Sequence, residues 1–168
     1  SVRFDDLTVE MAPLKAAARV VHGRLNDAFL AAVSGGLASY HRLHGAPVTG
    51  LRMTMPINVR TAETEKLAGN RFIPARFVLP LTPDDPIGRM EAMRTSVARL
   101  RNEPALGLTE GIADVLNRLP VTATTAVFGA MLKGTDVITS NVPGPPVQVY
   151  LGGSLIERQV AFGPMTGA

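Results

Sequence analysis

Leu51-Arg52-Met53-Thr54-Met55-Pro56-Ile57-Asn58-Val59-Arg60 is the stretch from which the rest of the chain is read. Leu51, Met53, Met55, Ile57 and Val59 fall on one face of an extended chain. Arg52, Thr54, Pro56, Asn58 and Arg60 fall on the other. This period of two predicts a half-buried β-strand over 51–60. Pro56 has no N–H to donate, which predicts an edge position or a bulge. A polar loop, Thr61–Asn70, leads to a second alternating run over Phe72–Leu81, with Ile73, Ala75, Phe77, Leu79 and Leu81 on one face.

On both sides of this strand pair the period becomes helical. Upstream, Asn26 reads as an N-cap with Asp27 in the first turn, and Leu25 and Leu30 as a hydrophobic staple. Phe29, Leu30, Val33, Leu37 and Tyr40 form the predicted apolar stripe, and Gly45 the stop. Gly35 and Gly36 each cost about 1 kcal/mol inside a helix. Together with Ala31, Ala32, Ser34 and Ala38 they predict close packing against another element. Earlier still, Arg3–Glu10 alternates as a first strand, and Pro13–His22 reads as a short helix ended by Gly23.

Downstream, Asp85-Pro86 joins an N-cap to a proline at the first helical position. Ile87, Met90, Met93, Val97 and Leu100 are predicted to face inward from a helix reaching Asn102. Arg89, Glu91, Arg94, Arg99 and Arg101 are predicted to cover its solvated face. Helices over Thr109–Leu119 and between Thr122 and Lys133 follow, then strands over Asp136–Val142, Val147–Leu151 and Leu155–Ala161. This order predicts an α/β fold, an α+β layered sandwich, in a single domain spanning 1–168.

Composition narrows the function. The 168 residues are 46% hydrophobic and 18% charged, with mean hydropathy +0.17, too apolar for a disordered segment. A net charge of +3 and 5% aromatic content disfavour nucleic acid as a partner. There is no cysteine, so a disulfide scaffold, a thiolate metal site and a cysteine nucleophile are excluded. His41 and His44 are three apart at a helix end without neighbouring ligands, and His22 precedes Gly23. All three read as helix-end residues, and no metal is expected. Val137–Ile156 is uncharged but broken by Pro143, Gly144, Pro145, Pro146, Gly152 and Gly153, so it reads as strand, turn and strand. Leu119–Leu132 is too short to span a bilayer. A first residue of Ser fits a processed or excised piece.

No nucleophile elbow, metalloprotease motif or phosphate-binding glycine loop is present. Fourteen arginines against three lysines are scattered. Arg52, Arg60, Arg71 and Arg76 gather on or near the strand pair, where solvated strand edges or an anionic ligand both account for them. More distinctive is Ser140-Asn141-Val142-Pro143-Gly144-Pro145. There Pro143 fixes one dihedral, Gly144 permits positive φ, and the corner holds Ser140 and Asn141 at a strand end. An Asn satisfying its own turn explains the same residues. Gly69-Asn70 is a turn before a strand.

Taken together and in order, these segments resemble the C-terminal half of bacterial wax ester synthase/acyl-CoA:diacylglycerol acyltransferases. The pieces that carry the resemblance are Leu25-Asn26-Asp27 with the Ala- and Gly-rich helix, Met55-Pro56-Ile57-Asn58-Val59-Arg60, and Gly69-Asn70 with its strand to Leu79-Pro80. The Ser140–Pro145 hexapeptide, Val149-Tyr150-Leu151-Gly152-Gly153 and Gly163-Pro164 complete it.

The resemblance implies one half of a chloramphenicol-acetyltransferase-like CoA-dependent acyltransferase fold. In that family a His-His-x-x-x-Asp-Gly motif in the N-terminal half carries the base. This chain lacks the motif, so no catalytic residue is expected in it, and the piece alone should be inactive. The family's C-terminal half continues past Ala168, so the piece is expected to be trimmed at both ends.

The implied reaction makes triacylglycerol or wax esters from acyl-CoA, a co-substrate and not a bound cofactor, with diacylglycerol or a long-chain alcohol. The N-terminal half is the implied partner. The expected location is the cytoplasm, with peripheral contact at the inner membrane or a lipid droplet. Ser140 and Asn141, with Pro143 and Gly144, are the candidates near the reacting carbonyl. Asn26 and Asp27 are expected to cap a wall helix, and Gly69 and Asn70 complete the candidate set. Met53, Met55 and Met131 fill the core or line an acyl channel. The alternative is a non-catalytic lipid-binding or interaction module of the same fold.

Overall fold

A computed structural model describes residues 3–58, 72–101, 120, 122 and 134–161. Arg60, Gly69, Asn70, Arg71, Met131, Gly163 and Pro164 lie outside the described residues, as do the expected helices over 109–119 and 122–133, of which Thr122 alone is described.

The described elements run α1 (Met11–Val20), α2 (Leu25–Leu43), β1 (Gly50–Asn58), β2 (Phe72–Pro80), α3 (Pro86–Arg101), β3 (Val137–Ile138), β4 (Tyr150–Leu151) and β5 (Ser154–Leu155). β1 and β2 pair antiparallel from Gly50↔Pro80 to Asn58↔Phe72. β3 joins β1 in parallel at Met53↔Val137 and Thr54↔Ile138, giving the order β2-β1-β3. The mixed α/β class expected from the sequence is what forms.

β1 is therefore the middle strand, which corrects the edge or bulge expected from Pro56. The ladder accommodates the proline through its parity. Leu81 N–H donates to Thr49 O at 2.9 Å, while Asp136 N–H donates to Arg52 O at 2.8 Å. Even-numbered residues of β1 thus turn their backbone groups away from β2, and Pro56 stands opposite Pro74 with no bond lost between them. On the other side, the bonds to β3 end with Thr139 N–H on Thr54 O at 3.0 Å, before Pro56 is reached.

α2 and α3 cover one face of this sheet. Met53, Met55 and Leu79 pack with Leu30, Ala31 and Ala38 of α2 and with Met90, Met93 and Val97 of α3. Ser34, wholly buried, donates its hydroxyl to Pro80 O at 2.6 Å, tying mid-α2 to the end of β2. The buried face of α2 is Asp27, Ala28, Leu30, Ala31, Ser34 and Ala38. The expected stripe is rotated: Phe29, Val33 and Leu37 are half-buried and Tyr40 is 57% exposed. Small side chains let the helix lie close to its neighbours, and closeness outweighs side-chain size.

α3 starts as expected. Asp85 Oδ1 accepts Gly88 N–H at 2.7 Å, and Met90, Met93, Val97 and Leu100 are buried. Two expectations fail there, since Ile87 is exposed and Arg89 is buried. The Arg89 guanidinium lies against Gly35, where an added Cβ would meet it (Cζ at 3.3 Å). Arg89 Nη2 donates to Asp84 O at 3.1 Å, and Asp84 also receives Arg42 Nη1 at 2.8 Å. Its Nε is buried without a partner. Close packing is thus confirmed at Gly35, while Gly36 has open space around it.

Arg3–Glu10 forms no strand. It is exposed, and Asp6 and Thr8 hold it to Arg158. The three C-terminal strands shrink to two residues each. Gly152 and Gly153, at φ 57° and 84°, make the turn between β4 and β5 that glycine alone adopts without cost. Among the described residues no helix is long and apolar enough to cross a membrane.

Candidate functional site

The best candidate site lies where the N-terminus of α2 meets the chain leaving β3. α1 delivers the first part. His22 N–H donates to Arg19 O at 3.0 Å and Gly23 N–H to Ala18 O at 2.8 Å, with His22 at φ 53°. This is the paired-bond helix stop, with the histidine and not Gly23 in the left-handed position. The chain turns at once into α2, whose N-cap is Arg24 and not Asn26.

Asp27 is the third helical residue. It is 5% exposed, and its Oδ2 accepts the Arg24 N–H at 2.6 Å. The negative end of a carboxylate inside the first turn suits the helix dipole and satisfies one free N–H. Asp27 therefore closes the capping box three residues after the cap. Asn26 does not cap. Its Nδ2 faces Met55 Sδ on β1 at 3.8 Å, and its Oδ1 accepts Asn141 Nδ2 at 3.4 Å. A thioether is a weak acceptor. Two side-chain amides therefore stand together with N–H groups that the described residues do not fully engage.

The partner side comes from the hexapeptide. Ser140, Asn141, Pro143 and Gly144 are all exposed, and β3 ends two residues before Ser140. Gly144 does not take the left-handed conformation its flexibility permits, so Pro143 and Pro145 shape the corner. The corner carries Asn141 across to Asn26, 115 residues away in the chain. Of the expected site residues, Asn26 and Asn141 thus meet, with Asp27 and Ser140 as their chain neighbours, and Pro143 and Gly144 follow in the exposed corner. This is where the short strand β3 ends beside Met55 of β1, and the carboxyl ends of parallel strands are where α/β proteins hold ligands.

A cavity of about 190 Å³ lies beside Asn26, lined by His22, Arg24, Asp27, Arg94, Val97 and Ala98. Arg94 Nη1 donates to Val21 O at 2.9 Å, closing the end of α1 from α3. Sequence reasoning placed His22 at a helix end, where it is, without linking it, Arg24 or Arg94 to Asn26. The only available signal was the short Val21–Arg24 connection, which brings two helix ends together. Met55 was read as core or channel wall. It is buried and also supports Asn26.

The arginine gathering on the strand pair divides. The Asp136 carboxylate accepts two bonds from the Arg52 guanidinium, Nη2 to Oδ1 at 2.6 Å and Nε to Oδ2 at 3.0 Å, and a third from the Arg52 backbone N–H to Oδ2 at 2.8 Å. These bonds, first the side-chain ones, hold the Asp136 carboxyl down at about 2 and raise the Arg52 guanidinium. Arg76 is exposed on the same face.

Comparison with known proteins returns one family. Residues 68–168 match the WS/DGAT C-terminal domain. Two Mycobacterium tuberculosis proteins, of strains H37Rv and CDC 1551, each named "Putative diacyglycerol O-acyltransferase", are 36% identical over 167 residues. The alignment covers 99% of this chain and 34% of each relative. A further H37Rv protein with the same description is 25% identical over 170 residues. The chain spans about a third of the length of the curated relatives it matches.

Proposed function

Because this chain belongs to the WS/DGAT C-terminal domain family, we propose that it is the C-terminal part of an acyl-CoA-dependent O-acyltransferase acting on diacylglycerol or a long-chain alcohol. The observation that carries the reading within the structure is the Asn26–Asn141 pair, just past the end of β3 and beside Met55 of β1. In the proposed reaction a histidine of the preceding region takes the acceptor hydroxyl proton. The alkoxide oxygen bonds to the thioester carbonyl carbon, and the carbonyl oxygen becomes an oxyanion. The C–S bond then breaks, and the CoA thiolate takes up the proton.

This chain's contribution is electrostatic. Amide N–H groups of Asn141 and Asn26, with the Ser140 hydroxyl, stand as donors for the developing oxyanion. Asp27 and Pro143 hold those donors in place. A fold like that of chloramphenicol acetyltransferase, with the site between two halves, belongs to the same proposal, as does peripheral contact with a lipid surface.

The test is made in the intact parent enzyme. Asn141→Ala is expected to lower kcat/KM about a hundredfold, the usual cost of one oxyanion donor, with an unchanged thermal midpoint because the residue is exposed. An unchanged rate removes Asn141 from the site. The present chain alone is expected to leave acyl-CoA unconsumed in the presence of hexadecanol or diacylglycerol, and turnover by it would refute the placement of the base elsewhere.

A further inference from the structure

Arg76 and Arg99 share a cleft that includes neither Asn26 nor Asn141 in its lining. β2 is an edge strand of the described sheet, and a cleft of about 310 Å³ opens between it and the last turn of α3. Its lining is Arg76, Phe77, Val78, Ser96, Arg99 and Leu100. Leu100 is buried and Phe77 half-buried, so the floor is apolar, while Arg76 and Arg99 are both exposed residues of its lining.

Their charge is unanswered. Arg3, Arg42, Arg52, Arg89 and Arg158 are all ion-paired. Neither Arg76 nor Arg99 has an ion pair or a side-chain hydrogen bond among the described residues, and no acidic residue lines the cleft. Arg76 also borders a second groove of about 260 Å³ with Arg52, Met53 and Thr135, again without a carboxylate in its lining. Asp136, the nearest acid in sequence to that groove, is held by Arg52. Two unpaired planar forks over an apolar floor suit a phosphate group carrying an apolar or aromatic neighbour.

We propose that the Arg76–Arg99 cleft binds the phosphate of a phosphate-bearing ligand. The source of that phosphate is either a soluble molecule such as coenzyme A or the headgroup of an anionic phospholipid. Ser96 offers a hydroxyl to the same anion, and Phe77, Val78 and Leu100 receive whatever adjoins it. The binding does not require acyl transfer, so the proposal stands or falls separately from the catalytic reading above.

The 168-residue chain is titrated with coenzyme A by calorimetry. It is also sedimented with vesicles of phosphatidylcholine with and without phosphatidylglycerol. Arg76→Gln and Arg99→Gln are each expected to weaken binding about tenfold, the worth of one charge-assisted hydrogen bond. Arg19→Gln removes an equally exposed charge on α1, and is expected to change binding by less than about twofold. Arg76→Lys and Arg99→Lys keep the charge without the fork, and are expected to fall between. They also serve if a glutamine variant does not fold.

An effect on coenzyme A alone assigns the soluble source, and an effect on the phosphatidylglycerol vesicles alone assigns the headgroup. Either supports the phosphate site. Equal weakening by Arg19→Gln would overturn it as mere net charge. Absence of binding to both probes at about millimolar concentration would overturn it as well.

Discussion

Asp136 is the side chain whose surroundings most change its chemistry, although it lies just before the start of β3 and outside the amide pair. Three contacts with Arg52 stabilise its carboxylate, so its proton leaves at about 2 instead of the ordinary 3.8. A carboxyl that is more acidic folded than unfolded adds stability above its unfolded value. That contribution is expected to fade as pH falls from about 4 to about 2. Thermal midpoints of the chain and of Asp136→Asn are therefore expected to differ at pH 6 and to converge toward pH 2. A constant gap would show that the contacts are positional and not ionic.

Asn26 teaches a different lesson at the same scale. Its residue type suits a cap, yet the chain places Arg24 in that role and leaves Asn26 facing Asn141. Local preference is worth only about 1 kcal/mol, less than what the packing of Leu30 and Asp27 decides.

Within α2 two adjacent glycines have opposite meanings. Gly35 carries the Arg89 guanidinium, and Gly36 faces open space. Helix propensity alone favours alanine at both by about 1 kcal/mol. At Gly36 nothing opposes it, so Gly36→Ala is expected to stabilise the chain by about 0.5–1 kcal/mol. At Gly35 the new methyl must displace a side chain held by Asp84 and buried between two helices, so Gly35→Ala is expected to destabilise by about 1–3 kcal/mol. Urea midpoints read both signs. Two stabilising results would mean that Arg89 moves aside freely. The sequence shows that α2 packs closely somewhere, but only the placement of α3 distinguishes one glycine from the next.

Across the molecule, stability is unevenly distributed. β1, β2, α2 and α3 share one core, whereas residues 140–148 are exposed throughout, and β4 with β5 forms a separate hairpin. Leu151 is 76% exposed, Val142 76% and Val147 70%. Among the described residues, Asn141 Nδ2 to Asn26 Oδ1 at 3.4 Å and the Arg158 contacts to Asp6 and Thr8 tie this arm down, while Ile156 N–H to Val149 O at 2.8 Å closes its own hairpin. Amide hydrogen exchange is expected to be slowest in β1 and β2 and fast at Val142 and Val147. Comparable protection of the arm in the isolated chain would show that it is not the loosely held part of the fold.

The strands of the central pair, the start of α3 at Asp85-Pro86, the stop at Gly45 and the turn at Gly152-Gly153 were all legible from the residues. Each is a local matter of periodicity or of a dihedral that one residue type favours. So was the family, through motifs spaced along the chain. The middle position of β1, the burial of Arg89, the rotated face of α2 and the meeting of Asn26 with Asn141 were not. They depend on which distant segments come together, and hydrogen bonds such as Asn141 to Asn26 have no signature in the local sequence. Tertiary packing decided them, because the free energy of close contact between helices and sheet exceeds the small preferences any single residue carries.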